Sequence, residues 1–350
     1  MDLPSGVINY GYAEDMAIFR TKTQWALLIL LFIGLFTFPL YCGNWVLSVI
    51  NIILITIISA HGLNVLTGYC GQISLGQAAF MGIGAYSAAI LAKDFNLPFL
   101  AAVLCGGLTT GLIGLIFGTP SLRVKGLYLA ITTLAAQFIA VWAFTHLHSL
   151  TGGTEGLAVP PATIGGLRII AEGQWFYVLC PFAIAVTFLV KNLARTRTGR
   201  AFIAIRDNDL AAEVMGVSVF GYKLQAFFIS CFITGVSGAL LGYYLMHISP
   251  EHFGLMGSIF YLGLITIGGV GTTLGPILGA LFMRLLEQGT LHIMPVIGAA
   301  FPSATVHLSA SAAMIVYGMV IIIFLIFEPR GLAHRWMLFK SAYRLWPFSY

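Results

Sequence analysis

The chain has 350 residues; 59% are hydrophobic, only 8% are charged, and the formal net charge is +5. A soluble domain carries about 25% charged residues, so this chain cannot keep a surface wet, and no segment is polar enough to form a separate soluble domain. Lipid is its solvent, which excludes open sheets, and apolar runs of about 17–25 residues suit helices rather than barrel strands. The expected fold is all-α, a polytopic transmembrane helix bundle of about ten spans (eight to ten) with glycine-broken or re-entrant segments.

Residues 1–23 read as a short polar tail ending in Arg20 and Lys22, without the basic-then-apolar order of a signal peptide. Spans follow at 24–41 and 44–60. The stretch 62–92, GLNVLTGYCGQISLGQAAFMGIGAYSAAILA, is a span in its second half only. In its first half Asn64, Thr67, Gln72, Ser74 and Gln77 interrupt the apolar residues, among glycines at 62, 68, 71 and 76. Polar amides at membrane depth are costly unless they line a cavity or bind backbone freed by a broken helix. This half reads as a discontinuous helix beside a transport path, or as a glycine-rich turn between spans.

Residues 97–118 form a span with two GxxxG pairs, Gly107/Gly111 and Gly114/Gly118, which let a neighbouring helix approach closely. Residues 126–147 are the next span. A polar loop over 148–173 carries TGGTEG and Pro160-Pro161 and leads to a span at 174–190.

The loop 191–222 is the most charged part of the chain. Lys191, Arg195, Arg197, Arg200, Arg206, Asp207, Asp209 and Glu213 fall within 23 residues between long apolar runs. Asp207 is placed to N-cap a short helix, with Asp209 in its first turn and Gly216 just past its last residue, Met215. Phe202, Ile205, Leu210, Val214 and Met215 supply an apolar stripe too large for the loop to bury. Either it lies on the inner ends of the spans or it fits a groove on a soluble partner; a solvated basic loop that only fixes topology is the plainer reading.

Beyond it lie a span at 223–247 with Gly238/Gly242 and a short connection through Pro250, Glu251 and His252. Residues 257–286 are too long for one crossing and are broken by GGVGTTLGP at 268–276, so they read as two short spans or a re-entrant pair. A mixed loop is expected at 287–307, the last span at 308–327, and a basic tail at 328–350 that lies on the membrane surface or is disordered. Basic residues mark the cytoplasmic side. Counting 257–286 as two crossings puts Arg20 and Lys22, Arg123 and Lys125, the 191–222 loop, and the tail's Arg330, Arg335, Lys340 and Arg344 all on that side. The organisation is then a cytoplasmic tail 1–23, a transmembrane domain 24–327 and a cytoplasmic tail 328–350.

Catalytic chemistry is missing. Nothing matches GxxxxGK[ST], and the glycines at 269, 271 and 275 lack the strand and acidic residue of a dinucleotide fingerprint. Asp94, Glu155, Glu172, Glu251 and Glu328 each stand alone, and the eight histidines form no ligand set. No catalytic or metal-binding residue is expected. Cys42, Cys70, Cys105, Cys180 and Cys231 read as buried small hydrophobes. Arg284 and Glu287, three apart, are expected to pair near an interface. No charge reads as sitting at mid-span, where ion-coupled carriers commonly need one, which argues mildly against a secondary transporter; if the protein moves solute uphill, the energy is expected to come from elsewhere.

The blocks GLNVLTGYCGQISLGQAAFMGIGAY, TGGTEGL, RTRTGRAFIAIRDNDLAAEVMGVSVFGYKLQAFFIS, ISPEHFG, GGVGTTLGP and EPRGL occur in that order. They resemble the LivM-type permease subunits of bacterial branched-chain amino acid ABC importers, over about residues 54–332. The resemblance implies a multi-pass permease of the inner membrane with both termini cytoplasmic, translocating Leu, Ile and Val by alternating access. Its implied partners are a second homologous permease forming a heterodimer, two cytoplasmic ATPases that use ATP and Mg, and a periplasmic or lipid-anchored substrate-binding protein. The chain itself would bind no cofactor and no nucleic acid. Gly199, Arg200, Ile205, Arg206, Asp207, Ala211, Ala212, Glu213, Met215 and Gly216 are the implied ATPase-coupling residues, although the order here is AAE rather than the EAA of other importer families. Gln72, Ser74, Gln77 and Thr272, on the broken segments, are the candidate path residues. Urea and short-amide permeases share much of the pattern. An ATP-independent channel and a membrane-embedded enzyme are the readings from other classes.

Overall fold

In lipid every backbone polar group must be satisfied within the protein, and the apolar runs meet that demand as helices. The computed structural model describes residues 22–121, 127–300 and 305–345. Its helices are α1 (Lys22–Tyr41), α2 (Asn44–Leu63, continuing as π-helical turns over Asn64–Tyr69), α3 (Gln77–Asp94), α4 (Phe99–Ser121), α5 (Leu127–His146), the single turn α6 (His148–Thr151) and α7 (Glu172–Arg195). They continue with α8 (Arg197–Asp207), α9 (Asp209–Val214), α10 (Val219–Leu245), α11 (Leu255–Gly268), α12 (Gly275–Ala300), α13 (Thr305–Phe327) and α14 (Leu332–Leu345). Among the described residues, five helical segments are long and apolar enough to cross a membrane: Asn44–Tyr69, Phe99–Thr119, Tyr128–His146, Glu172–Arg195 and Val219–Leu245. The chain is an all-α polytopic membrane bundle.

Helix α10 is the hub, packed on α2, α3 and α4. Small residues make this possible. A Cβ on Gly84 of α3 would collide with the backbone of Gly235, and one on Gly238 with the backbone of Met81. The glycines of α4 act as expected: side chains of Val236, Phe228, Cys231 and Phe227 sit against Gly107, Gly111, Gly114 and Gly118 in turn. Close backbone approach replaces the missing hydrophobic drive between helices in lipid.

The charged loop is at the Tyr69 end of α2. At the opposite end, Asn51 donates to the carboxylate of Glu172 at 2.8 Å, and the Tyr244 hydroxyl donates to the same oxygen at 2.9 Å. Glu172 is thus partnered, contrary to the isolated carboxylate expected. Antiparallel ladders lie at that end: β1 (Leu157–Ala158) of the polar loop pairs with β4 (His247–Ile248) after α10, and β2 (Thr163–Ile164) with β3 (Leu167–Arg168) within the loop.

Two expectations need correction. The mixed loop at 287–307 is helix as far as Ala300. Glu287 does not end α12, because its carboxylate is neutralised by Arg284 one turn earlier, at 2.6 Å. Of the two readings of the C-terminal tail, the disordered one is corrected through Leu345: α14 is docked after Gly331 (φ 76°), with Arg335 paired to Glu328. Arg20 in the N-terminal tail, and Arg123 and Lys125, lie outside the described residues.

Candidate functional site

The three irregular segments singled out by the sequence meet at one end of the bundle. Helix α2 does not stop near Ala60. It widens into π turns at Asn64–Tyr69 and gives way to non-helical chain before α3 begins at Gln77. The break is discontinuous helix rather than a simple turn, and π turns commonly mark functional sites. Side chains from elsewhere hold the new start: Leu75 N–H donates to Thr133 Oγ1 (3.0 Å), Ala78 N–H to Ser258 Oγ (2.9 Å) and Ala79 N–H to Gln137 Oε1 (2.9 Å). These partners satisfy donors that a helix start leaves open.

The candidate path residues fall into two groups. Gln77 is 2% exposed, and its Nε2 donates to Ser59 O and Oγ (both 2.8 Å) and to Thr234 Oγ1 (3.0 Å), stapling α3 to α2 and α10. Ser74 accepts from Gly76 N–H at 3.3 Å, and Thr272 accepts from Gly275 N–H at 2.9 Å at the start of α12. These three side chains are engaged in holding backbone. Gln72 differs: it is buried, and among the described residues neither amide atom has a hydrogen-bond partner.

Between α11 and α12 the chain turns through Gly269 (φ 115°) and Gly271 (φ 77°). Asn64 clasps this turn: its Nδ2 donates to Thr272 O, and its Oδ1 accepts from Gly271 N–H, both at 2.9 Å. The π segment and the glycine turn are thereby one unit, joined across more than 200 residues.

The charged loop folds as two helices rather than one. Thr196 caps α8 by accepting from Gly199 N–H at 3.2 Å. The cap of α9 is Asn208, whose Oδ1 accepts from Ala211 N–H at 3.0 Å; this corrects the assignment to Asp207. Asn208 has the extended backbone of a cap (φ −160°, ψ 107°), whereas Asp207 still belongs to α8 and its carboxylate is held by Arg206. Helix α9 ends as expected at Gly216 (φ 84°), with Gly216 N–H on Glu213 O and Val217 N–H on Ala212 O, the paired bonds of a Schellman ending.

The apolar stripe divides. Phe202 and Ile205 are buried against the bundle together with Gly199 and Ala212, whereas Leu210, Val214 and Met215 are 63%, 87% and 83% exposed. Ala211 and Glu213 are also exposed, and Arg200 donates to Arg195 O at 2.9 Å, closing the end of α7.

Arg206 joins the loop to both broken segments. Its Nη1 donates to Gly68 O at 3.1 Å while its Nε is held by Asp207 at 3.0 Å. A Cβ at Gly71 or Gly271 would press on the Arg206 side chain. An unbroken set of contacts therefore runs from α9 through Arg206 and Gly68 to Asn64 and the 269–274 turn. Beside it, burial pushes the Cys70 thiol up to about 12, with Lys223 pulling weakly the other way, so this cysteine is an inert thiol at neutral pH.

Sequence reasoning noticed Asn64 but missed its role, and it missed the depth of one charge pair. Arg284 donates through Nε to Thr56 Oγ1 at 2.9 Å and through Nη1 to Glu287 at 2.6 Å, and its guanidinium stands 4.8 Å from the Phe260 ring centre. Thr56 is midway along the Asn44–Tyr69 span. This corrects the expectation that no charge sits at mid-span: the pair is tolerated there because each charge has a partner. Among the described residues no group of three or more His, Cys, Asp or Glu is placed to hold a metal ion.

The sequence matches the family described as "Branched-chain amino acid transport system / permease component" over residues 45–325. It is 30% identical over 292 residues, 77% of this chain and 69% of the relative, to the high-affinity branched-chain amino acid transport system permease protein LivM of Escherichia coli K12. It is 25% identical over 240 residues, 67% of each chain, to a probable branched-chain amino acid transport permease protein LivM of Methanocaldococcus jannaschii. The autoinducer 2 import system permease protein LsrC of Enterobacter sp. 638 is 28% identical over 212 residues, 56% of this chain and 57% of the relative. No solved structure matches the chain.

Proposed function

Because the chain belongs to the family of branched-chain amino acid transport system permease components, we propose that it is the membrane-spanning subunit of an ATP-driven importer for Leu, Ile and Val. The observation that carries this reading is the Arg206 junction. One face of the α8–α9 loop is fixed to both broken segments, and the other face presents Leu210, Val214 and Met215 to solvent. Three large apolar side chains clustered on a six-residue helix and its C-cap, outside the bundle, suit a protein partner. The partner is a separate ATPase subunit on the cytoplasmic side, where ATP and Mg are used; this chain binds neither. A second permease of the same family completes the bundle, and a substrate-binding protein delivers the amino acid to the opposite end, where the β ladders lie.

ATP binding closes the ATPase pair and moves α9. Arg206 passes that movement to Gly68 and, through Asn64, to the Gly269–Leu274 turn. The ligand-driven shift works because the ATPase favours one arrangement of these packed segments over the other. Gln72, with a buried amide free to bind, lies on the same break as Ser74 and Gln77 and beside the path. The similarity to LsrC, a permease of an autoinducer 2 import system, favours one second reading: a permease of the same architecture carrying a different small solute; urea and short amides are the solutes that the sequence resemblance adds.

Uptake of labelled leucine by cells with and without the gene tests the reading. Deletion is expected to remove an ATP-dependent component that excess isoleucine or valine competes away. A component lost on deletion that survives ATP depletion would refute the ATPase dock. Unchanged leucine uptake with reduced urea uptake would keep the architecture and replace the substrate.

A further inference from the structure

The Arg284–Glu287 pair takes no part in the junction around Arg206. It lies about 14 Å along α12 from its first residue, at the level of Thr56, itself about 20 Å along the axis from Tyr69. On one side the pair is fastened: Thr56 and Glu287 each take a guanidinium donor, the Tyr261 hydroxyl lies beside the guanidinium, and the Phe260 ring covers one of its faces. On the other it is open, with the Arg284 and Glu287 side chains 21% and 32% exposed. A charged residue facing hydrocarbon at this depth is strongly disfavoured, so the open side faces water or protein. A purely structural ion pair is also a poor use of the position, because apolar residues of the same volume are often at least as stable.

We propose that Arg284 and Glu287 form a binding station for the charged end of a zwitterionic α-amino acid on the translocation path. Guanidinium donors beyond those engaged by Thr56, Glu287 and Tyr261 take the α-carboxylate, for which the planar fork is well matched. Glu287 takes the α-ammonium. The fixed pair then presents opposite charges side by side, as the substrate does, and a neutral solute gains little from it. This rests on the reading of the chain as an amino-acid importer subunit, and it names the substrate chemistry within that reading.

The test uses the complete transporter in proteoliposomes. Glu287→Gln is expected to raise about tenfold or more the leucine concentration that half-saturates binding to the assembled permease–ATPase complex, measured without the binding protein, which otherwise sets the apparent affinity. It should narrow by a similar factor the preference for leucine over N-acetyl-leucine, which lacks the ammonium; a structural role would not change that ratio. Arg284→Lys should retain more of the affinity than Arg284→Gln. Should Glu287→Gln fail to assemble, Thr290→Cys, one turn further along α12, is to be modified by a membrane-impermeant charged thiol reagent in the intact complex and protected by leucine. Unchanged leucine affinity and preference in assembled Glu287→Gln overturn the station while leaving the importer reading intact. An unmodified Thr290→Cys likewise overturns it, since the face is then covered by lipid or by the second permease. A wild-type complex that imports no amino acid overturns the substrate reading and the station together.

Discussion

At the scale of single residues, Arg206 and Asn64 are the joints. Arg206 reaches Gly68 O at 3.1 Å across the boundary between the loop and the bundle. Arg206→Ala should leave the protein inserted and the ATPases bound, but lower leucine uptake at least about tenfold, the equivalent of one lost charge-assisted hydrogen bond. The informative quantity is uptake per ATP hydrolysed: a transmitting role predicts that this ratio falls, whereas simple destabilisation lowers both together. Asn64 holds the turn with both ends of its amide. Asn64→Leu leaves the Gly271 N–H and Thr272 C=O without these partners and should cost about 1–3 kcal/mol, measured as a lower midpoint of thermal unfolding in detergent. Neither role was legible in the sequence. An amide in a helix announces that it needs a partner, but its partners here are backbone groups 207 and 208 residues away, which no local pattern reveals. The same is true of Arg284: the spacing to Glu287 gave the pair, but only Thr56 in α2 gives its depth.

At the scale of elements, the legible features were those that lipid or glycine geometry forces. The α4 glycines face α10 as small residues must where backbones approach, and the 268–276 glycines break the long apolar run into α11 and α12. The π turns at 64–69 kept the polar break helical further than a glycine count suggests, and the Arg284–Glu287 pair carried α12 past an acidic residue that reads as a helix end. In the loop, Asp207 and Asn208 are both good caps by residue type; the choice fell to Asn208 because Arg206 already holds the Asp207 carboxylate. Helix α9 depends on its ending. Gly216 sits at φ 84°, which proline, fixed near −65°, cannot adopt. Gly216→Pro should therefore abolish uptake with the protein still inserted, as should Arg200→Glu, which reverses the charge at the α7–α8 corner where Arg200 meets Arg195 O. Normal uptake with either change would sink the docking role of this loop. Val214→Asp and Met215→Asp, on exposed side chains with no packing to lose, should release the ATPase subunits on affinity purification and leave the bundle's thermal stability unchanged.

At the scale of the whole molecule, the charge distribution and the fold make a joint statement about sidedness. Helices α2, α7 and α10 bring the loop 196–218 to one end of the bundle, while the Glu172–Tyr244 contact and the ladder of 157–158 with 247–248 lie at the other. Glu328, at the close of α13, and α14 meet the same end as the glycine turn, since a Cβ at Gly331 would strike Gly269. The basic loop and the C-terminal helix thus share a side whatever the exact number of crossings, and by positive-inside bias we propose that this side is cytoplasmic. Single cysteines placed at Glu213 and Ser341, in a background with Cys42 and Cys105 replaced, should react with an impermeant thiol reagent only in inside-out vesicles. A cysteine at Thr163, on the exposed β2–β3 hairpin, should react only in right-side-out cells. Labelling of positions 213 and 341 from opposite sides would contradict the packing of α14 on the glycine turn. Labelling of both from outside would keep that packing but turn the molecule over, placing the α9 surface beyond the reach of any cytoplasmic ATPase.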